Sequence, residues 1–533
     1  MNASDNTSSC VSKIDIGMDR FNKYIERGDM EKKSYQYEGV KWLLKNELRG
    51  EGEGEGEGSC GGGGYARGGF VADEMGLGKT IMMIGLCLAN FMHKTLIVVP
   101  PVLIDQWFAQ IYRTTGHKCV IYHGENKKLM NNIGVAGLEK VVIVLCSYDA
   151  ITLSRDNKKK HAINSDTHNK KHKHLESSLL HQVKWGRVIF DEAHHLRNKN
   201  TGRYVGAKLL NAEIKWLVSG TPVQNKKQDF YALCSLINLP ASYYTDSSNL
   251  MDITRNHILK RTKKQVGINL EDAVENRQIV DWKNIDELEF SKKIHSLIAF
   301  LNVKMKEKLE KGATNAREEA DSTDNAVNNT IGRGLLPLLL RARQSCIYPK
   351  MVAKESSVKG TSKLDSVVGA ILERKDNGNG KLVFCHFKEE MNEIYERLCN
   401  AGLHVGMLNG KTSKGARAKM LSEKRDVLIM QIQTGCEGLN LQVNYNEIYF
   451  VSPHWNPYIE DQAVARCHRI GQMKPVFVWR FEMNNFDSCD ADAHADAHAH
   501  ADADSHAHVK NNNLEKYVTD IQNGKRDMVG KII

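Results

Sequence analysis

The feature that most constrains the fold is a series of short, nearly continuous apolar runs that are rich in β-branched residues. Four lie in the first half of the chain and four in the second: residues 94–100, 140–148, 185–195, 214–222, 381–387, 426–434, 447–453 and 475–481. Strands that are apolar on both faces and separated by helix-length segments are typical of parallel sheets covered by helices. The pattern therefore predicts an α/β protein with two lobes, each built on a parallel sheet.

The segment between the two sets of runs has a helical pattern. Apolar residues recur there at helical spacing, namely Ile294, Leu297, Ile298, Leu301 and Met305. We therefore expect a helical insert and linker over residues 241–355, between lobe 1 (35–240) and lobe 2 (356–482). Residues 1–34 are expected to form a polar N-terminal tail, and residues 483–533 a C-terminal tail.

Three segments of biased composition are predicted to be insertions. They are a Glu/Gly run at residues 51–64, a Lys/His run at 154–178 and an Asp/His tract at 490–508. The Asp/His tract could chelate Zn²⁺ or Ni²⁺, but it has no fixed ligand geometry, and we interpret it as a disordered expansion. The Lys/His run is interpreted as a solvated loop, with non-specific DNA contact as the alternative.

Composition limits the class of protein. The 74 basic and 64 acidic residues leave a net charge of +10, which permits a polyanionic partner without requiring one. The twelve cysteines include no CxxC pair, which argues against zinc ribbons, RING modules and thioredoxin-like chemistry. The N-terminus has no apolar signal core, and the longest apolar run, residues 81–92, is too short to span a bilayer. We therefore expect a soluble intracellular protein that is not secreted.

A phosphate-binding loop is suggested by GGFVADEMGLGKT at residues 68–80. NTP hydrolysis needs a strand, a tight turn whose N–H groups face phosphate, and a helix behind it, and this segment offers them in that order. Lys79 would bind the β- and γ-phosphates, and the Thr80 hydroxyl would bind Mg²⁺. Asp73 stands where the general pattern has glycine, and Gly-Lys-Thr strings arise by chance in glycine-rich sequence. The loop alone therefore leaves the question open.

A pair of carboxylates gives independent support for NTP chemistry. Asp191 and Glu192 follow the apolar run that begins at Trp185, and ligands of open α/β sheets lie at such strand ends. One carboxylate can hold Mg²⁺ while the other orients and deprotonates the attacking water. An acidic pair at a helix N-terminus is the alternative for this pair taken alone. Together with the Gly-Lys-Thr loop, the pair favours catalysis.

Residues 460–472, EDQAVARCHRIGQ, form the third element. If they are helical, Gln462, Arg466 and Arg469 share one face. Arginine offers a rigid fork of donors that suits the phosphate charge of a transition state, so the two arginines could act as fingers in cis. Taken singly, such residues are more often surface arginines.

The motifs together resemble a Swi/Snf-type helicase-like ATPase of superfamily two, from about Tyr35 to Arg480 and again near Asn513. They follow the family's order: SYQYEGVKWLL (34–44), DEMGLGKT (73–80), LIVVPPVLIDQW (96–107), DEAHHLRNKN (191–200), LVSGTPVQN (217–225), ILKRTKKQV (258–266), LVFCHF (382–387), LNGKTS (408–413), QTGCEGLNLQ (433–442) and HWNPYIEDQAVARCHRIGQ (454–472). Asp73 matches the family's own form of the phosphate loop. Cys436 departs from the usual second glycine of its motif.

The resemblance implies roles for individual residues. Gln36 would read the adenine base, Thr80 and Asp191 would hold Mg²⁺, and Ser219 and Thr221 would couple hydrolysis to lobe movement. Catalysis would involve Asp191, Glu192, Gln462, Arg466 and Arg469. ATP contacts would come from the loop residues Asp73, Glu74, Met75, Gly76, Leu77, Gly78, Lys79 and Thr80.

The resemblance also implies a fold and an activity. The fold would be two RecA-like lobes with an ATP site in the cleft between them, and the activity ATP-dependent translocation on double-stranded DNA without sequence preference. A compact form of this kind is similar to those of large DNA viruses, so the nucleus or a viral replication site is the expected location. A strand-unwinding DNA or RNA helicase and an ATP-switched DNA-binding subunit of a viral transcription complex stay open as alternatives.

Overall fold

The computed structural model describes residues 3–49, 66–153, 178–220, 227–298, 336–352, 358, 360–435, 439–486 and 513–532. The chain forms two compact units, Met1–Leu270 with Met528–Ile533, and Glu271–Asp527. The predicted Glu/Gly and Asp/His insertions lie outside the described residues, as do Thr221, Cys436 and all of the Lys/His run except Ser178. No helix in the described part of the chain combines the length and the hydropathy that crossing a membrane requires.

The first unit is built on a seven-stranded sheet in which every strand pair is parallel. Its spatial order is β3-β4-β2-β5-β6-β1-β7. The strands are β1 (Gly68–Val71), β2 (Thr95–Val99), β3 (Val120–Tyr122), β4 (Ile143–Ser147), β5 (Trp185–Asp191), β6 (Ala212–Val218) and β7 (Ile258–Leu259). The helices are α1 (Ala3–Arg27), α2 (Ser34–Glu47), α3 (Lys79–Ala89), α4 (Ile104–Thr115), α5 (Glu125–Leu138), α6 (Tyr148–Ile151), α7 (Gly202–Leu209), α8 (Lys227–Leu236), α9 (Ala241–Thr245) and α10 (Leu250–His257).

The strands of this sheet are apolar on both faces because each face carries its own core. In β2, Leu96 and Val98 pack into one cluster, whereas Ile97 and Val99 pack into the other. All four side chains are buried. This two-sided burial explains why the apolar runs are continuous and do not alternate with polar residues.

The second unit has a six-stranded sheet, also parallel in every pair, with the order β10-β11-β9-β12-β13-β8. Its strands are β8 (Val274–Val280), β9 (Lys381–Cys385), β10 (Val405–Leu408), β11 (Val427–Gln431), β12 (Glu447–Phe450) and β13 (Phe477–Met483). Its helices are α11 (285–298), α12 (336–347), α13 (Ser362–Glu373), α14 (Lys388–Asn400), α15 (Lys414–Ser422), α16 (Ile432–Gly435), α17 (Pro457–Val464) and α18 (Leu514–Ile532).

The predicted fold class, two α/β lobes with parallel sheets, is confirmed, and each of the eight apolar runs contains a strand. Residues 241–355, the expected helical insert and linker, contain helices and also supply β7 and β8 as one edge strand of each sheet. Most residues of β8 are exposed or half-buried, so this strand lacks a continuous apolar run like those that mark eight of the other strands.

The first residues of the chain do not form the expected polar tail. Helix α1 packs one side against α2 and α3 and buries Phe21 and Tyr24 in the core. The ring of Phe21 lies so close to Gly85 that a Cβ at that glycine would come within 2.5 Å of it. A helix at the start of the chain therefore supports the helix that follows the phosphate loop.

A fully buried ion pair joins four elements of the first unit. Glu47, at the end of α2, accepts hydrogen bonds from Arg187 in β5 and, at 2.8 Å each, from Trp216 Nε1 in β6 and Asn90 Nδ2 after α3. The Glu47 and Arg187 side chains have no exposed surface. Such a buried pair contributes little to folding stability compared with apolar residues of similar volume. Removing one partner is nevertheless strongly destabilising, because it leaves an uncompensated buried charge.

We predict that Glu47→Gln lowers the free energy of unfolding of the first unit by about 3–5 kcal/mol, because Arg187 loses its buried counter-charge. Urea unfolding followed by tryptophan fluorescence measures the change. Glu213→Gln is the matched control: Glu213 is exposed and pairs with Arg67 and Lys184, so a loss below about 1 kcal/mol is expected. Equal small losses in both variants would contradict the prediction.

Candidate active site

The predicted phosphate loop joins the end of β1 to the start of α3. Gly76 and Gly78 adopt positive φ values of 95° and 78°, which favour glycine. The positive φ of Gly78 disfavours any larger residue, and a Cβ there would lie 2.4 Å from Gln36 Nε2 and displace that side chain. The backbone N–H groups at the beginning of α3 and the positive end of its dipole form a site for an anion.

Lys79 begins α3 and folds back over the loop. Its Nζ donates to the carbonyl oxygens of Asp73, at 2.8 Å, and Glu74, at 3.3 Å. The end of β6 lies alongside, because Ser219 N donates to Val71 O at 3.1 Å and a Cβ at Gly220 would lie 3.6 Å from Lys79 Nζ. Ser219 is therefore adjacent to the loop, whereas Thr221, which is predicted to share its coupling role, lies outside the described residues.

Asp73 is paired with a residue that sequence reasoning did not single out. Arg261, just after β7, donates through Nε at 3.1 Å and Nη2 at 2.5 Å to the two carboxylate oxygens of Asp73, and through Nη1 to Tyr35 O. The Asp73 side chain is completely buried. A fork of this geometry fixes the orientation of both partners. Asp73, the residue that departs from the generic loop pattern, thus binds the loop to the segment that follows the edge strand β7.

Glu74 is held by the same basic segment. Its carboxylate accepts from Lys263 N at 2.7 Å and lies 3.0 Å from Lys263 Nζ. The side chains of Asp73 and Glu74 thus bind the basic segment beside the loop, and the Glu74 backbone binds it as well, because Glu74 N donates to Arg261 O at 2.9 Å. In the sequence, this arrangement is indicated by the segment 258–266, which resembles a motif of the family. The motif by itself assigns no role to any single residue in the segment.

Gln36 lies in α2 against the loop. It is buried, and its Nε2 donates to Leu77 O at 3.2 Å. This contact places the predicted adenine reader beside Gly78 and the start of α3. Met75 lies on the other side, where its side chain would be 3.1 Å from a Cβ at Gly220.

The acidic pair lies at the carboxyl end of β5, two strands away from β1 in the sheet. Asp191 Oδ2 accepts from Trp107 Nε1 at 2.7 Å, and Tyr148 Oη donates to Asp191 O at 2.7 Å. Glu192 has φ 51° and ψ 50°, a left-handed conformation that is rare for this residue type and common at functional sites. The Asp191 carboxylate is therefore held by Trp107, and Glu192 follows it in a backbone conformation that glutamate seldom adopts.

Burial and the neighbouring Glu192 carboxylate raise the pKa of Asp191 to about 7. The Trp107 hydrogen bond and the nearby Lys79 charge oppose this rise and do not cancel it. A divalent cation would stabilise the ionised carboxylate. Carboxylate and hydroxyl oxygens are the ligands that Mg²⁺ prefers, so Asp191 and Thr80 fit the ion by their donor chemistry.

The second unit contains the other predicted catalytic residues, but in a different local structure. The expected continuous helix is wrong: α17 ends at Val464, and Arg466 and Arg469 lie in the turns that follow. Their i, i+4 and i+7 relation to Gln462 therefore does not put the three side chains on one helix face. Gln462 is buried within α17.

The two arginines lie beside the preceding motif. Leu441 N donates to Arg466 O at 3.1 Å, and the Arg469 guanidinium donates to Asn440 Oδ1. Burial and the nearby Arg466 lower the pKa of Arg469, so two like charges are held close together. Such a concentration of positive charge suits a phosphate. In the first unit, Gln36, the loop, the acidic pair and Ser219 thus lie near the carboxyl ends of the parallel strands. Gln462, Arg466 and Arg469 lie in the second unit.

Comparison with known families matches both units. Residues 35–351 match the SNF2-related domain, and residues 362–471 match the helicase conserved C-terminal domain. The probable global transactivator of Orgyia pseudotsugata multicapsid polyhedrosis virus is 25% identical over 494 residues, which cover 86% of this chain and 87% of that protein. The ATP-dependent DNA helicase DDM1 of Arabidopsis thaliana is 25% identical over 490 residues, which cover 84% of this chain and 58% of DDM1.

Other relatives are much longer than this chain. It spans 17% of the chromodomain-helicase-DNA-binding protein 8 of Rattus norvegicus, at 24% identity over 487 residues. Among solved structures, the SWI2/SNF2 ATPase core of Sulfolobus solfataricus in complex with double-stranded DNA is 21% identical, covers 85% of this chain and 87% of its own, and has a TM-score of 0.35.

We predict that Arg261→Gln raises the KM for ATP about 10-fold or more and lowers the melting temperature, because it leaves the buried Asp73 carboxylate without its counter-charge. Asp73→Asn added to Arg261→Gln should recover much of the stability. Arg255→Gln, at an exposed position in α10, is the control. Steady-state ATPase assays and thermal unfolding give the two readouts, and equal behaviour of the Arg261 and Arg255 variants would rule out the supporting role.

Proposed function

The chain belongs to the SNF2-related family of helicase-like ATPases, and we propose that it is a motor that moves along double-stranded DNA and remodels or displaces bound proteins. That it is an ATP hydrolase follows from membership of the family. Movement on DNA, displacement and the roles of single residues are the proposal.

The observation that carries the proposal is the assembly at the carboxyl edge of the first sheet. Gln36, the glycine turn before α3, Lys79 and the pair Asp191 and Glu192 come from separate parts of the sequence and lie at one edge. A nucleotide-binding loop next to a strand-terminal acidic pair is the arrangement that phosphoanhydride hydrolysis requires. The same residues have no evident use in a purely structural protein.

In the proposed reaction, each group has one task. The Lys79 ammonium neutralises charge on the β- and γ-phosphates, and the Glu192 carboxylate orients the attacking water and accepts its proton. Thr80 and Asp191 hold Mg²⁺, which supplies positive charge to the phosphate oxygens when it is bound. Gln36 selects adenine, and Ser219 with Thr221 couples turnover to movement.

Arg466 and Arg469 are proposed to stabilise negative charge on the transferred phosphoryl group. Guanidinium donors suit this task because their fork matches two phosphate oxygens at once. The loss of such an arginine finger typically reduces turnover by about 10³-fold or more while nucleotide binding persists.

Double-stranded DNA is the proposed polymer along which the protein moves. DDM1 is named a DNA helicase, and a net charge of +10 is compatible with binding to a phosphate backbone. Contacts to the backbone are independent of base sequence and weaken with salt. We therefore propose binding without sequence preference, at an intracellular site such as the nucleus or a viral replication site.

A role in viral transcription is the second candidate function. A relative of which this chain covers 87% is named a probable global transactivator of a virus. In this version, ATP binding would switch a DNA-binding subunit of a transcription complex, with hydrolysis incidental. A strand-separating helicase is the third possibility and is distinguished by its products.

We predict that ATP turnover rises sharply with duplex DNA, rises little with single-stranded RNA, and is lost in Lys79→Ala. A triplex-forming strand should be displaced from duplex DNA when ATP is present. Lys45→Ala, at an exposed lysine in α2, is the control and should retain activity. Equal stimulation by RNA with release of a duplex strand would identify an unwinding helicase instead, and binding to DNA without displacement would favour the switch.

We predict that Arg469→Ala lowers turnover by about 10³-fold while ATP binding stays measurable, because the arginine acts on transition-state charge. Single-turnover hydrolysis and binding of a fluorescent ATP analogue separate the two effects. Arg341→Ala, at an exposed arginine of the same unit, should behave as wild type. Loss of nucleotide binding in Arg469→Ala would instead mean a structural role.

A further inference from the structure

The C-terminal helix α18 is fastened to the second unit at its first turn. Asn513 Nδ2 donates to Met483 O at 2.7 Å and Asn484 O at 2.9 Å, and its Oδ1 accepts from Glu515 N at 2.9 Å. Glu515 also accepts from Met483 N and forms a buried ion pair with Lys363. The beginning of α18 is therefore fixed at the end of β13.

Two turns further on, α18 contacts the segment that leads to the arginines. Gln522 Nε2 donates to Glu460 Oε1 at 2.9 Å and to His454 O. Glu460 Oε1 in turn accepts from His454 N at 2.7 Å. Gln522, Glu460 and His454 are all buried, so these polar groups satisfy each other away from water.

Two basic residues of α18 complete the contact. Lys525 Nζ donates to Trp455 O at 2.7 Å. The Arg526 guanidinium donates through both terminal nitrogens to the Asp461 carboxylate, at 2.9 Å and 3.2 Å. Unlike the Gln522 contacts, this ion pair is partly exposed, with 44% of the Arg526 side chain accessible.

The contacts of Gln522, Lys525 and Arg526 all fall on residues 454–461, which comprise the turn before α17 and the first residues of α17. Helix α17 is only eight residues long, too short to fix its own direction, and it ends two residues before Arg466. The opposite oxygen of Glu460 binds Arg480 in β13, so α17 is held between the sheet and α18. A rotation of α17 would shift the residues directly after it.

We infer that Gln522, Lys525 and Arg526 are positioning residues. They fix α17 and thereby hold the segment that follows it, residues 465–469 with Arg466 and Arg469, which we call the arginine segment. This inference rests on the proposed roles of Arg466 and Arg469 in hydrolysis. It gives the C-terminal helix a part in turnover without contact to the nucleotide. Errors of about 1 Å in the placement of a catalytic group can lower rates by about 10²-fold, so a modest contact can have a measurable effect.

A charge exchange between Arg526 and Asp461 tests the inference. Arg526→Glu replaces attraction by repulsion at an exposed position, and we expect kcat of the DNA-stimulated ATPase to fall about 10-fold. The KM and the affinity for an ATP analogue should stay unchanged, because the predicted nucleotide-binding residues belong to the first unit. Arg526→Glu combined with Asp461→Arg restores the attraction with reversed charges and should recover most of kcat.

Lys516→Glu is the matched control. It makes the same change of charge in the same helix, and Lys516 pairs only with Asp520 of α18 among the described residues. Its kcat and melting temperature should equal those of wild type. Gln522→Met, which keeps the side-chain volume and removes both hydrogen bonds, should lower kcat without changing the KM.

The inference is overturned if wild type shows DNA-stimulated turnover while Arg526→Glu and Gln522→Met match Lys516→Glu in kcat. It is also overturned if Arg526→Glu lowers kcat and the melting temperature together and Asp461→Arg restores neither. Failure of the proposed function has a different signature, since the wild-type chain would then show no stimulation by DNA or Arg469→Ala would turn over normally.

Discussion

The buried pair of Glu47 and Arg187 is the interaction on which the rest of the nucleotide site depends. Its partners lie in the helix that carries Gln36, in the strand that ends at Asp191, in the strand before Ser219 and at the end of the helix that begins with Lys79. A charged pair without access to water tolerates little displacement, because each partner's desolvation is offset only by the geometry of the other. Four elements that each carry or adjoin a predicted site residue therefore meet at this one buried pair.

The phosphate loop shows how an unusual residue can be explained by its partner. A generic loop has glycine where this chain has Asp73, and a buried carboxylate there would be costly if it were alone. Arg261 supplies the counter-charge from a segment nearly two hundred residues further along the chain. The aspartate of the family's own loop therefore depends on an arginine that follows the edge strand β7. The positive charge of the basic segment 258–266 is explained in part by this pairing.

Much of the fold was predictable, because buried parallel strands leave continuous apolar runs and the loop before α3 has an explicit glycine pattern. What escaped prediction did so for three separate physical reasons. The edge strand β8 is largely polar, since an edge need not be buried on both faces. The pairing of Asp73 with Arg261, and of Glu47 with Arg187, depends on contacts between distant segments, which no local pattern encodes. The apolar positions of α1 were present in the sequence, but the polar residues around them obscured the helical spacing.

The positions of Arg466 and Arg469 could not be predicted from their spacing in the sequence. Helical periodicity placed Gln462, Arg466 and Arg469 on one face, but the helix ends at Val464 and the arginines take their positions from turns. Their geometry must then come from tertiary contacts: Asn440 and Leu441 on one side, and on the other the helix α17 to which they are joined. Because α17 is itself held by α18, the contacts that place the two arginines include those of a helix that follows the Asp/His tract. The boundary of the functional core therefore lies beyond the last recognisable motif.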